Sequence, residues 1–317
     1  MKRNRLFLIG PMALLLGALV GAQTSLVSDV RRAIAADDYA AAEALIATHR
    51  AAAGVTPASL EALSWLGRGA LAAGRLEDAN RYAQQTHTLV LEALKTRGVD
   101  DEPQLPIALG AAIEVQAQVA AARGERSVAV DFLRRELQRY ETTSMQKRIQ
   151  KNINLLSLEG ERPPALDLSE YLGPKPAPLA DLRGRVVVLF FWAHWCSDCK
   201  IQGPILNELL DQYGPQGLAV VAPTQRFGYV AGGKPAGPAE ELAHITEVRS
   251  THYAFLADRP VPLSEANHQI YGVSSTPTMV IVGRDGRIAL YHPGRMTKPD
   301  LEAVVRRLLA LPVAAAN

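Results

Sequence analysis

Apolar positions change their rhythm once along this chain of 317 residues. Between about 25 and 160 they recur at three- and four-residue steps among alanines and leucines, the spacing of amphipathic helices, with almost no two-residue alternation. Beyond 160 the pattern breaks into short, wholly apolar runs. Residues 186–192, Val-Val-Val-Leu-Phe-Phe-Trp, and residues 217–223 predict strands buried on both faces of a parallel or mixed sheet. A further buried strand opens at Thr276-Pro277, where a proline needs a special reason. It turns at 284–287, whose Asp-Gly pair signals a tight hairpin, and returns over 288–291. Residues 255–258 predict a short strand, and helices are predicted over 201–213, 240–249, 264–271 and 301–311. Pro204 falls inside the first of these and bends it. The pattern predicts an α+β chain: an all-α part of helical hairpins over 23–160, then an α/β part over 161–317 with a mixed central sheet flanked by helices. The Gly160-Pro164 stretch is the expected linker.

Three short segments recur in the helical part, residues 37–42 (Asp-Asp-Tyr-Ala-Ala-Ala), 74–79 (Gly-Arg-Leu-Glu-Asp-Ala) and 124–129 (Gly-Glu-Arg-Ser-Val-Ala), each set between two helical patterns like a turn followed by a small residue where the helices touch. Around the second, Leu66, Gly67, Gly74, Ala79 and Tyr82 resemble a tetratricopeptide repeat. The unequal intervals make the repeat degenerate, with an inserted loop over 96–106. Stacked helical hairpins leave a concave face that suits a partner protein; a plain spacer or dimerisation domain satisfies the same pattern.

The first 22 residues have the three parts of a secretory signal: basic Lys2 to Arg5, an apolar run, and small residues closing at Ala22. Cleavage after Ala22 and residence in the periplasm are the expectation; an uncleaved anchor is the alternative, and either exports the rest. The formal charge of +2 loses Lys2, Arg3 and Arg5 with that segment and becomes −1. Such a balance leaves no electrostatic footprint for nucleic acid.

The chemistry gathers on the two cysteines, Cys196 and Cys199, the only ones in the chain. A bridge over so short a loop adds little stability, so the pair is better explained by reactivity. If a helix starts at the Cys-Ser-Asp-Cys turn, its unpaired N–H groups point at Cys196 and favour its thiolate. Cys196 is then the attacking sulfur and Cys199 the resolving one, cycling with little backbone movement. His244, His252 and His268 lack ligand spacing, so no metal is expected, nor any cofactor beyond the redox-active pair.

Residues 164–312 resemble the thioredoxin superfamily, and within it the exported TlpA/ResA-like thiol-disulfide oxidoreductases. The resemblance is carried by Phe191-Trp192-Ala193 leading to Trp195-Cys196-Ser197-Asp198-Cys199-Lys200, by Pro204, by Thr276-Pro277 and by the Asp285-Gly286 hairpin. It implies a thioredoxin-like fold, a cis Pro277, and a substrate-facing surface at Trp195, Thr276 and Pro277. It also implies disulfide-containing protein substrates and a membrane-bound thiol electron donor. Ser197, Asp198, Lys200, His194 and Gln202 are the expected modulators. Two carboxylates found in relatives are replaced here, by Phe190 in the strand and by Gln202 in the helix. His194, beside Trp195, is expected as a solvated surface imidazole. Asp198 disfavours a second negative charge on Cys196, which leans the pair towards reduction.

Three other functions are weighed. A peroxiredoxin needs Thr where Ala193 stands. A copper chaperone of the SCO type needs a Cys pair one residue wider. An interaction protein would use the helical repeats to recruit a partner. Arg226, Phe227 and Tyr229, in an insertion over 224–238, either form a lid or pin the loop to its own domain. Met279 and Phe191 are expected in the core.

Overall fold

The computed structural model describes residues 25–312; the segment expected to be a signal, 1–22, lies outside them. Seven helices come first: α1 Leu26–Ala35, α2 Tyr39–Ala53, α3 Pro57–Ala72, α4 Leu76–Ala93, α5 Gln104–Ala122, α6 Arg126–Arg139 and α7 Gln146–Ser157. The first three starts carry side-chain caps. Ser25 accepts the Ser28 N–H, and Thr56 and Ser59 form a reciprocal capping box ahead of Pro57. The three recurring segments sit at the joints α1/α2, α3/α4 and α5/α6, and all close the same way. Asp37, Gly74 and Gly124 adopt positive φ (58°, 72° and 85°). The next residue's N–H then reaches back five positions, to Ala33, Ala70 and Ala120. That bond absorbs an orphan carbonyl at the end of each first helix, which is why the same short sequence returns. α5 is apolar on most sides because α3, α4 and α6 cover it.

The second part runs β1 Tyr171–Leu172, β2 Val186–Phe191, α8 Ser197–Tyr213, β3 Leu218–Val221, β4 Tyr229–Val230, β5 Lys234–Pro235, α9 Pro238–His252, β6 Val261–Pro262, α10 Glu265–Ile270, β7 Thr278–Val282, β8 Ile288–Pro293 and α11 Lys298–Ala310. The central sheet has the order β3-β2-β7-β8, with β2/β3 parallel and the other two pairs antiparallel. Of the two sheets that the apolar runs allow, parallel or mixed, it is the mixed one. Alternate residues of β2 serve two core layers. Val186, Val188 and Phe190 join Leu206, Leu209 and Val305 on one face. Val187, Leu189 and Phe191 meet Tyr271, Val280 and Tyr291 on the other.

Three local expectations change. The helix after the cysteines begins at Ser197, one turn earlier than its hydrophobic period alone suggests, because Cys196 itself caps it. Residues 255–258 are not a strand: Ala254–Leu256 is a short 3-10 turn that buries Leu256, and a short apolar run cannot by itself choose between these states. The Gly160-Pro164 stretch is no free linker either. Gly160 donates to the Ile288 carbonyl (2.8 Å) and Ile288 donates to Glu161 (2.9 Å), so the chain pairs with the otherwise open edge of β8.

Candidate active site

The register of β2 against β7 places Phe191 opposite Thr278. The segment leaving β2 and the segment entering β7 therefore emerge at the same end of the sheet. The first carries Trp192 to Cys199, the second Ser274 to Pro277. Trp192 is fully buried; its indole N–H donates to the Ala222 carbonyl at 3.0 Å, and its ring packs on Tyr253 at 4.9 Å. That anchor holds the turn that follows. Cys196 is the N-cap of α8, its Sγ accepting the Cys199 N–H at 3.0 Å, and the two sulfurs are joined in a disulfide. Cys196 is 3% exposed and Cys199 is wholly buried, so Cys196 is the sulfur nearer the surface. The Thr276–Pro277 peptide is cis. Thr276 Oγ1 is buried without a partner among the described residues. Met279 and Phe191 are core residues, and Ser197 and Trp195 are exposed.

His194 departs from expectation. It is not a solvated surface imidazole but buried, 2% exposed, with Nε2 3.2 Å from the equally buried Glu241. Burial outweighs the Glu241 contact and lowers the imidazole pKa, so the neutral ring donates Nε2–H to the carboxylate. Glu241 also accepts the N–H groups of Phe227 (2.5 Å) and Gly228 (2.9 Å). One carboxylate thus ties the residue two before Cys196 to the insertion. The insertion folds as the β4–β5 hairpin. Phe227 lies edge-on to both Trp195 and His194 at 5.6 Å, and Arg226 pairs with Glu170. The loop is pinned to its own domain, and it also walls one side of Trp195. Glu241 escapes sequence reasoning because it lies 47 residues from His194 and looks like an ordinary first-turn acid of α9.

The two positions without carboxylates are filled by packing. Phe190 is fully buried edge-on to Tyr253 at 6.0 Å. Gln202 is fully buried, and its Oε1 accepts the Met296 N–H at 2.9 Å, fastening α8 to the loop before α11. Asp198 is exposed and faces Arg295 at 3.8 Å, a cation that motif spacing does not reveal; Lys200 is partly buried on α8.

His268, a second buried imidazole, lies edge-on to Phe191 at 5.4 Å. Burial pulls its pKa down to about 3. His194 shifts the same way. The unfolded chain, with ordinary histidines near 6.5, therefore takes up protons that the folded protein does not. Stability is full above pH ~6.5 and falls as pH drops, by up to about 1.4 kcal/mol per pH unit for each such group. Urea unfolding between pH 7.5 and 5 is expected to show this slope, and His268→Gln is expected to make it shallower. An unchanged slope in the variant would remove His268 from the account.

A helix-capping Cys-x-x-Cys pair beside a cis-proline loop, on a four-stranded mixed sheet, defines a thioredoxin-fold dithiol/disulfide protein. The redoxin family model matches residues 158–305. Thiol-disulfide oxidoreductase ResA of Geobacillus thermodenitrificans is 31% identical over 45% of this chain and 74% of its own length. Thioredoxin-like protein YneN of Bacillus subtilis is 30% identical over 45% of this chain and 76% of its own. A solved thioredoxin-family thiol:disulfide interchange protein from Chlorobium tepidum covers 47% of this chain and 97% of that one, at 18% identity and a TM-score of 0.37. The chain belongs to the redoxin family of thioredoxin-like thiol-disulfide oxidoreductases. The family match begins just after α7, so the seven helices lie outside it.

Proposed function

We propose that the protein is exported to the periplasm and reduces disulfides of other proteins there. The observation that carries this reading is the 3.0 Å bond from the Cys199 N–H to Cys196 Sγ at the start of α8, which favours negative charge on Cys196 once the pair is reduced. The Cys196 thiolate attacks one substrate sulfur and the other leaves as a thiolate. Cys199 gives up its proton and attacks Cys196 in the mixed disulfide, which frees the first substrate sulfur. Two electrons and two protons pass to the substrate, and the pair ends as Cys196–Cys199. A membrane-bound thiol donor then restores the dithiol. Trp195, Thr276 and Pro277 form the face presented to substrate.

The reducing direction is supported by Asp198. Its contact with Arg295 is long and solvent-screened, so the carboxylate still opposes charge on Cys196. The peroxidase alternative is disfavoured by Ala193, which occupies the position of the required threonine and is fully buried.

Cys199→Ser is expected to accumulate a mixed disulfide with protein substrates, and the wild-type potential is expected nearer ~−270 mV than ~−120 mV. No adduct in the variant would remove the exchange reading; a potential at the oxidising end would reverse its direction.

A further inference from the structure

The helical part and the cis-proline loop enclose a groove of about 890 Å³. Arg68 of α3, Glu114 of α5, Arg148 and Lys151 of α7, and the exposed Ser274 and Ser275 line it. Ser274 and Ser275 immediately precede Thr276–Pro277, so one wall of the groove is the active-site loop itself. The junction is tight: a Cβ on Gly272 would lie 2.3 Å from the Lys151 backbone nitrogen.

The groove holds an excess of positive charge. Glu114 is its one acidic lining residue, and both its oxygens are already used. Oε2 accepts Arg148 through two N–H groups at 2.9 and 3.1 Å, and Oε1 accepts Lys151 at 3.3 Å. Arg68 is left with no carboxylate. Its guanidinium lies 4.6 Å over the Trp65 ring, which Arg31 shares at 4.3 Å, and among the described residues it makes no hydrogen bond or ion pair. Glu61, two turns back on the same helix, influences it without touching it. Burial and the neighbouring Arg148 pull the Arg68 pKa down to about 10, so at neutral pH the side chain remains charged at a cost that an anion would relieve. Peptide carboxylates fit such a fork, since guanidinium groups bind them through paired N–H bonds.

We propose that this groove holds an acidic stretch of the protein whose disulfide is exchanged at Cys196, so that the helical part selects substrates carrying Asp or Glu beside the reacting cysteine. The proposal rests on the exchange reading and adds a substrate class to it. Ser275 lines the groove, and Thr276 follows it in the loop at the cysteine end of the sheet, so a polypeptide lying along these two residues has the groove beside it. The helices then act in recognition, while the chemistry stays on α8.

The test separates binding from exchange. A cysteine-free acidic peptide is titrated against the full chain, followed by fluorescence anisotropy; disulfide peptides with acidic or neutral flanks are assayed for turnover. Wild type is expected to bind the acidic peptide, with affinity falling as salt rises, and to use the acidic-flanked disulfide more efficiently. Arg68→Gln is expected to lower kcat/KM for that substrate about tenfold through KM, leaving kcat and the neutral substrate unchanged. Arg68→Lys should restore part of the difference, which a folding defect would not. Equal use of both substrates by wild type, or an equal loss on both in Arg68→Gln, overturns the proposal. Salt-sensitive binding of the cysteine-free peptide without turnover of either disulfide would keep the acidic site and reject the exchange reading instead.

Discussion

Cys196→Ser is expected to lose disulfide exchange by at least about a thousandfold, because serine supplies no thiolate at neutral pH. The substitution is unusually clean. Cys196 is the N-cap of α8 and accepts the N–H of the third helical residue, Cys199. Serine is among the best residues for that position, so the helix start survives. The lost bridge closes a very short loop and contributes little chain-entropy stabilisation. Unfolding of the variant should therefore track that of the reduced wild type within about 1 kcal/mol, while insulin-type reduction assays fall to background. Retained turnover would place the attacking group elsewhere; a large loss of stability would show that the disulfide has a structural role.

Gly272→Ala is expected to be the most damaging single-methyl change at the junction between the two parts. Gly272 has φ +59°, and an added Cβ would meet the Lys151 N at 2.3 Å, the Lys151 Cα at 2.6 Å and the Gln150 carbonyl carbon at 2.7 Å. These are backbone atoms of a helix, so no side chain can swing aside. Left-handed strain of about 1–2 kcal/mol adds to an overpacking cost of about 1–3 kcal/mol. A combined loss near 3 kcal/mol would lower the thermal midpoint by several degrees in a chain of this size. Gly124→Ala is the control. Gly124 has φ +85° with nothing within 4 Å of the added methyl, so strain alone remains and the loss should stay near 1–2 kcal/mol. Equal losses in the two variants would mean that α7 does not press on the loop. Because Gly272 precedes Ser274 and Thr276, the variant should also weaken use of acidic-flanked disulfides more than its stability alone accounts for.

The site is legible in the sequence where its chemistry is local. Cys196 and Cys199 share one helical turn, and the strand before them is an unbroken apolar run, so neighbouring residues suffice to place them. The same holds for the hairpin joints, where a left-handed residue and the alanine that follows it lie only a few positions apart. His194 shows the opposite case. Its neighbours Ala193 and Trp195 say nothing of its environment; one is buried and the other half-exposed, and the imidazole between them turns inward to Glu241. The insertion is intermediate. Its length and aromatic content mark it as special, but that Phe227 and Gly228 both hang from Glu241 depends on how α9 packs.

By itself the sequence determined the class of each major element, the α+β organisation, the redox pair and, through the resemblance at Trp195 to Lys200 and Thr276-Pro277, the family. Hydrophobic period, helix capping and motif spacing act over a few residues and survive in a linear reading. Only the tertiary structure decided that His194 meets Glu241, that Arg295 faces Asp198, that residues 160–161 close the edge of β8, and that Arg68, Arg148 and Lys151 gather beside the cis-proline loop. Each of these joins residues far apart in the chain. Their meeting is set by sheet register and by the docking of α7 on Gly272, and no local period encodes either.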